Sequence, residues 1–229
     1  MPDELPYNPL DVDQLGVNVA DSLLHRSVTP LTTLAQFNGA GVYAIYYTGE
    51  QSSFDPYALL AQGNRNEPFS RPIYVGKAVP SGARKGGRSA NAVGPKLFGR
   101  LNEHAQSIQQ ATNLVLTDFH CRYLVVEDIW IPLGESLLID RFQPLWNVIV
   151  EGFGNHPPGG GRKKQRRSMW DMIHPGRDWA AELPENDLSK DAIIQLISKA
   201  LAGTPVLTLS PQVQREEADS DEQQPLVES

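Results

Sequence analysis

Two short runs constrain this chain most: Gly41-Val-Tyr-Ala-Ile-Tyr-Tyr47 and Ile73-Tyr-Val-Gly-Lys77. Both are dense in β-branched and aromatic residues, so both read as strands. Alternation sends Val42, Ala44 and Tyr46 to one face of the first, and Tyr43, Ile45 and Tyr47 to the other. Gly41 lets the chain enter its strand tightly, and Gly76 leaves the second backbone open to close approach. Each strand offers a tyrosine, and Lys77 leads into a Gly-rich loop holding Arg84, Lys85 and Arg88. That combination suits a phosphate site better than a core. It is not a Walker loop, because no Gly-Lys-Ser/Thr closes it before a helix.

The remaining elements follow from spacing. Residues 96–108 have helical periodicity, with Leu97, Leu101 and Ile108 facing inward. Arg100 and His104 are four apart, so they share a face of that helix. Residues 119–126 read as a third strand. A helix is expected over 132–142, with Leu137, Leu138 and Phe142 toward the core and Pro144 ending or kinking it before Trp146 and Asn147. Upstream, Asn18 or Asp21 could cap a short helix bearing Val19, Leu23 and Leu24. Residues 48–72 are long for a hairpin connection and read as an insertion with a short helix near Pro56–Leu60, placed to touch a partner. Trp170 and Trp179 read as anchors, and 187–201 as an amphipathic helix for this domain or a second subunit. The sum is an α+β fold: a small, mainly antiparallel three-stranded sheet from 42–47, 72–77 and 119–126, flanked by helices.

Net charge over the 229 residues is −7, but its distribution matters more than its sum. Residues 71–110 carry Arg71, Lys77, Arg84, Lys85, Arg88, Lys96 and Arg100 against Glu103 alone. A second block carries Arg162, Lys163, Lys164, Arg166, Arg167 and Arg177 against Asp171. Two basic clusters flanking one candidate site favour a polyanion over two merely solvated loops. The lone Cys121 excludes an internal disulfide and fits a reducing compartment. No apolar run reaches membrane-spanning length, and the N-terminus is acidic, unlike a secretion signal. The expectation is a soluble, cytoplasmic protein with no membrane partner.

The order Gly-Val-Tyr43, Tyr74-Val-Gly76, Arg100-x-x-x-His104, Glu135 on a helix and Pro-Leu-Trp-Asn147 resembles the GIY-YIG nuclease superfamily. Val42 and Val75 stand where isoleucines are usual. His104, Lys77 and the basic segment near 162–167 make it more similar to the type II restriction endonucleases, specifically the group that cuts CCGCGG. The resemblance covers about 39–147. It implies an N-terminal extension at 1–38, a catalytic core at 39–150 carrying the 48–72 insertion, and a C-terminal DNA-binding or packing extension at 151–208. An acidic tail, expected to be disordered, occupies 209–229.

Hydrolysis of a phosphodiester needs an activated water, charge stabilisation at phosphorus and neutralisation of the leaving oxygen. The resemblance implies Glu135 as the ligand of magnesium (Mg2+), which one carboxylate with waters and phosphate can hold. Arg100 would grip phosphate with its planar fork of donors. Tyr43 is a candidate general base if cations such as Lys77 lower its pKa from about 10, with His104 taking the proton on or orienting it. Tyr74 would position water or phosphate, and Asn147 would hold the site's backbone or touch the phosphate. Singly, each residue is more often structural: half-buried strand tyrosines, a solvated helix arginine, a surface histidine, a helix-end Glu or Asn. Together, in this order, they point to catalysis.

The implied substrate is double-stranded DNA cut at a palindrome by a two-fold homodimer, with 48–70 and 188–201 as dimer candidates. Arg84, Lys85, Arg88, Arg162, Lys163, Lys164, Arg166 and Arg167 are the DNA-binding candidates, arginines being natural guanine readers. Two other readings stand beside this one: a repair or structure-selective nuclease on the same core, and a non-catalytic DNA-binding protein. Zinc-ligand spacing and a Gly-x-Ser-x-Gly elbow are both absent from the sequence.

Overall fold

The structure, a computed structural model, describes residues 12–50, 54–66, 69–80, 94–157 and 165–203. Helix α1 (Val12–Leu24) leads to a two-residue strand β1 (Thr29–Pro30), then β2 (Gly41–Tyr47). After α2 (Ala58–Asn66) come β3 (Tyr74–Ala78), α3 (Lys96–Gln110) and β4 (Phe119–Val125). Helices α4 (Ile131–Phe142), α5 (Leu145–Val148), α6 (Met169–Ile173), α7 (Asp178–Ala181) and α8 (Lys190–Leu201) complete the order.

The sheet is fully antiparallel with strand order β1-β4-β2-β3. It has four strands rather than the expected three. The extra one, β1, pairs Thr29 with Cys121 and Pro30 with His120, and two residues are too short to show periodicity in a sequence. β2 is central and buried along its whole length.

The alternation along β2 divides two apolar clusters as the sequence implies. Tyr43, Ile45 and Tyr47 join the larger cluster with Leu97, Leu101 and Ile108 of α3, Trp146 of α5, Trp170 of α6, and Ile193 and Ile197 of α8. Val42, Ala44 and Tyr46 face Ala20 and Leu23 of α1 and Ile131 and Leu138 of α4. Leu137 is only partly buried, and Phe142 packs at that cluster's margin.

Three helix expectations change. Asn18 and Asp21 lie inside α1 rather than at its head, and Asp21 pairs with Arg141 of α4 at 3.3 Å. α8 starts at Lys190 behind Ser189, whose side chain accepts from the Ala192 amide. Its Ile193 and Ile197 are buried in this same chain, so that face of α8 serves the domain's own core. The insertion at 48–72 behaves likewise. Phe54, Tyr57, Leu60 and Ala61 are core residues, Tyr57 fully buried, so this face of the segment closes the larger cluster, while Leu59 stays exposed.

A buried polar chain threads that cluster. Tyr57 Oη accepts from Trp146 Nε1 at 2.8 Å and donates to His174 Nε2 at 2.8 Å. His174 Nδ1 donates to Asn113 Oδ1 at 3.0 Å, and Asn113 Nδ2 donates to the Ile173 carbonyl at 3.0 Å. Every step pairs a donor with an acceptor, which is the condition for keeping such groups inside.

Candidate active site

Tyr43 lies opposite Gly76 across the β2–β3 ladder, and Ile45 opposite Tyr74. A Cβ at Gly76 would overlap the Tyr43 hydroxyl, so the open backbone noted in the sequence is used by the Tyr43 ring itself. Both tyrosines point to the α3 side, with ring centroids 6.2 Å apart. α3 supplies Arg100 and His104 one turn apart, and His104 is buried. Tyr43 Oη and His104 Nε2 are 2.6 Å apart. The His104 ring sits 5.1 Å from Tyr74 and stacks on Phe153 at 4.5 Å and 18°.

Burial is the main reason His104 titrates well below its ordinary range; Arg100, His156 and Arg177 add to this. The ring is therefore neutral, and its Nε2 lone pair accepts the Tyr43 proton in the hydrogen bond. Burial also raises Tyr43 well above its usual pKa, helped by Tyr74 and Glu135 and opposed by Arg100. Tyr74 is raised chiefly by burial too. The expectation that Lys77 would lower Tyr43 is corrected here: Arg100 is the cation acting on it, and burial outweighs that pull. Burial works against charge on Arg100 as well, but Tyr43, Tyr74 and Glu103 more than compensate and hold the guanidinium charged.

Arg100 Nη1 donates to Glu103 Oε2 at 2.9 Å and contacts His156 Nε2, while Nη2 donates to the Gly154 carbonyl at 3.0 Å. Phe153, Gly154 and His156 were not picked out by sequence reasoning. Glycines and prolines punctuate that segment in the sequence, and a main-chain carbonyl contact leaves no residue-type signal.

Lys77 lies opposite Val42, hence on the α4 side of β3. Its Nζ is 3.0 Å from Glu135 Oε2. Since β3 is a rim strand, groups from both faces can meet around it. The charge of Glu135 indeed acts on both Tyr43 and Tyr74. Asn147 clasps that rim: its Oδ1 accepts from the Val75 amide and its Nδ2 donates to the Val75 carbonyl, each at 2.8 Å. Of the two roles expected for Asn147, the geometry provides the backbone one.

Among the described residues, no three His, Cys, Asp or Glu side chains group to hold a metal. Glu135 offers a hard oxygen, which in this structure faces the Lys77 ammonium. That donor set fits Mg2+ held by one carboxylate, with water and phosphate completing the shell.

Of the DNA-binding candidates, Arg166 is exposed and pairs with Asp187 at 2.9 Å. Arg167 instead fastens α7, its Nε donating to the Ala180 carbonyl at 3.0 Å and its Nη2 to that of Ala181 at 3.1 Å. Arg84, Lys85, Arg88, Arg162, Lys163 and Lys164 lie outside the described residues, as does the acidic segment at 209–229. No helix among the described residues is long and apolar enough to cross a membrane.

Compared with known proteins, the chain matches the family model described as the Eco29kI GIY-YIG domain over residues 35–201. No curated protein matches it. The family match covers well over half of the chain and runs past Asn147 through α8. Tyr43 and Tyr74 of the antiparallel sheet, Arg100 and His104 of α3 and Glu135 of α4 all fall within it. The chain belongs to the Eco29kI GIY-YIG domain family, a family of restriction endonucleases.

Proposed function

We propose that the chain is a Mg2+-assisted type II restriction endonuclease that hydrolyses double-stranded DNA at a short palindrome, CCGCGG being the first site to test. The observation that carries this reading is the 2.6 Å contact between Tyr43 Oη and a neutral, buried His104, one helical turn from Arg100. In the proposed step a water oxygen attacks phosphorus. Its proton passes to Tyr43 Oη as the Tyr43 proton moves to His104 Nε2. This arrangement spares Tyr43 from existing as a buried phenolate, which its raised pKa disfavours. The imidazolium formed on His104, disfavoured by the same burial in the DNA-free protein, is offset by the negative charge of the bound phosphate. Arg100 exchanges its contacts with Glu103 and His156 for phosphate oxygens. Tyr74 orients the phosphate, and the bridging oxygen leaves and takes a proton from solvent. Glu135 would hold Mg2+, whose chemistry is to neutralise charge developing on the phosphate, and Lys77 would balance Glu135 in its absence.

Identical subunits reading a palindrome imply a two-fold dimer. The 84–88 and 162–164 basic clusters, with Arg166, are the proposed DNA contacts on charge grounds, and Arg167 is assigned to holding α7. The experiment is digestion of plasmids with and without CCGCGG in Mg2+ buffer, followed by sequencing of the ends. Discrete bands with one end sequence support the reading. Nicking only at lesions or branches would instead indicate a repair-type nuclease. Glu135→Ala is expected to abolish cutting, and undiminished cleavage by it would overturn the metal assignment.

A further inference from the structure

Arg177 is far in sequence from every candidate catalytic group, and its side chain is 1% exposed. Its Nε donates to Asp171 Oδ1 at 2.6 Å. Nη1 donates to the carbonyls of Phe153 and Asn155, each at 3.1 Å, and Nη2 to that of Gly152 at 2.9 Å. The guanidinium lies between the Trp170 and Trp179 rings, 4.5 and 4.8 Å from their centroids. Asp171 is fixed in turn: its Oδ2 accepts from Ser168 Oγ at 2.7 Å, and its amide donates to that oxygen at 3.2 Å. A buried guanidinium carries a large desolvation penalty unless its donors are paired. Here one carboxylate and three main-chain carbonyls of one short segment meet it.

The carbonyl these three leave out is that of Gly154, and it accepts instead from Arg100 Nη2 at 3.0 Å. Two arginines thus grip one segment through different carbonyls. The same segment stacks Phe153 on the His104 ring and brings His156 to Arg100. Gly154 leaves no slack, since a Cβ there would sit 3.0 Å from Tyr74 Oη and 3.1 Å from Arg100 Nη2. The turn before Arg177 is anchored as well. Thr112, just past α3, donates its amide to the Pro175 carbonyl at 2.8 Å. The helix bearing Arg100 and His104 and the turn bearing Arg177 are therefore fastened at two places.

We infer that Arg177, seated on Asp171, is a positioning residue for DNA cleavage, setting Arg100 and His104 through the backbone of residues 152–156. The inference rests on the nuclease reading for the word cleavage, but not for the clamp itself. Lysine keeps the positive charge but cannot span a carboxylate and three carbonyls with a compact ammonium. A displacement of about 1 Å at Arg100 suffices for a rate loss on the order of 100-fold.

The test compares wild type, Arg177→Lys and Asp171→Asn, with Leu23→Ala in α1, in the other apolar cluster, as a destabilised control. Cleavage of a plasmid that the wild type cuts is followed for kcat and KM, and the His104 imidazole is followed by NMR through pH 5–8. Arg177→Lys is expected to lose about 10- to 100-fold in kcat with KM within about 3-fold. Its His104 should begin to titrate toward the ordinary range as Phe153 lifts and water enters. Asp171→Asn keeps an acceptor for Arg177 Nε, so it should fold and show the same two changes more weakly. Leu23→Ala should show neither at a temperature where it is folded. Wild-type kcat and an untitrated His104 in folded Arg177→Lys, or in Asp171→Asn should the lysine variant not fold, would overturn the inference. So would equal changes in Leu23→Ala. A wild type that cuts no DNA would count against the nuclease reading alone, with the His104 titration still deciding the clamp.

Discussion

Acid should destabilise this protein through His174 in a way that one substitution can isolate. Burial, with smaller contributions from Lys190 and Arg177, pushes the His174 pKa down to about 3. In the unfolded chain it returns to about 6.5. The unfolded state therefore binds the extra proton first as pH falls, so stability present above about pH 6.5 drains away toward pH 3. The full difference is about 5 kcal/mol at 1.36 kcal/mol per pH unit, of which about 2 kcal/mol is lost between pH 7 and pH 5. The variant is His174→Gln, whose amide can accept from Tyr57 and donate to Asn113, as the imidazole does, without titrating. Urea unfolding at pH 7, 6 and 5 should show the wild type losing about 2 kcal/mol more than this variant over that range. His104, also held neutral, contributes to both proteins and cancels in the difference. Parallel stability–pH curves for the two proteins would refute the reasoning.

Tyr43→Phe should lower kcat by about 100-fold or more by breaking the proton path, and cost about 1–3 kcal/mol in urea unfolding because His104 Nε2 is left buried without a donor. An activity loss below 10-fold would argue against Tyr43 as the acceptor. Lys77→Met should raise affinity of the DNA-free protein for Mn2+ roughly 10-fold by calorimetry, since Glu135 loses its resident counter-charge. Unchanged affinity would separate Glu135 from the metal. Asn147→Ala leaves the Val75 amide and carbonyl without their side-chain partner. We expect a loss of about 1–3 kcal/mol and faster hydrogen exchange at Val75, and wild-type exchange there would contradict the clasp.

Side chains that act through their own chemistry were the ones legible in advance. The strict alternation of β2 announced both of its faces, and a spacing of four put Arg100 and His104 together. The 57, 60, 61 and 64 pattern of the insertion was a readable sign of burial, masked by the Gly, Asn and Ser residues around it. Electrostatic signs were harder. Lys77 neighbours Gly76 in sequence, yet one residue along a strand crosses to the other face, where Glu135 rather than Tyr43 awaits it. The cluster that buries Tyr43 also holds Phe153 and residues of α6 and α8, far away in sequence. The Arg177 clamp was invisible because it grips carbonyls, which every residue possesses.

The Asn147 clasp has a consequence for how copies of the chain can meet. An uncovered rim strand is a template on which a foreign strand can zip. Here one rim has the Val75 amide and carbonyl already matched by a side-chain amide, and the other ends in a two-residue strand whose Pro30 has no N–H to give. Sheet extension between subunits is thereby discouraged at both margins, which leaves helix faces and loops as the places where a second copy would join.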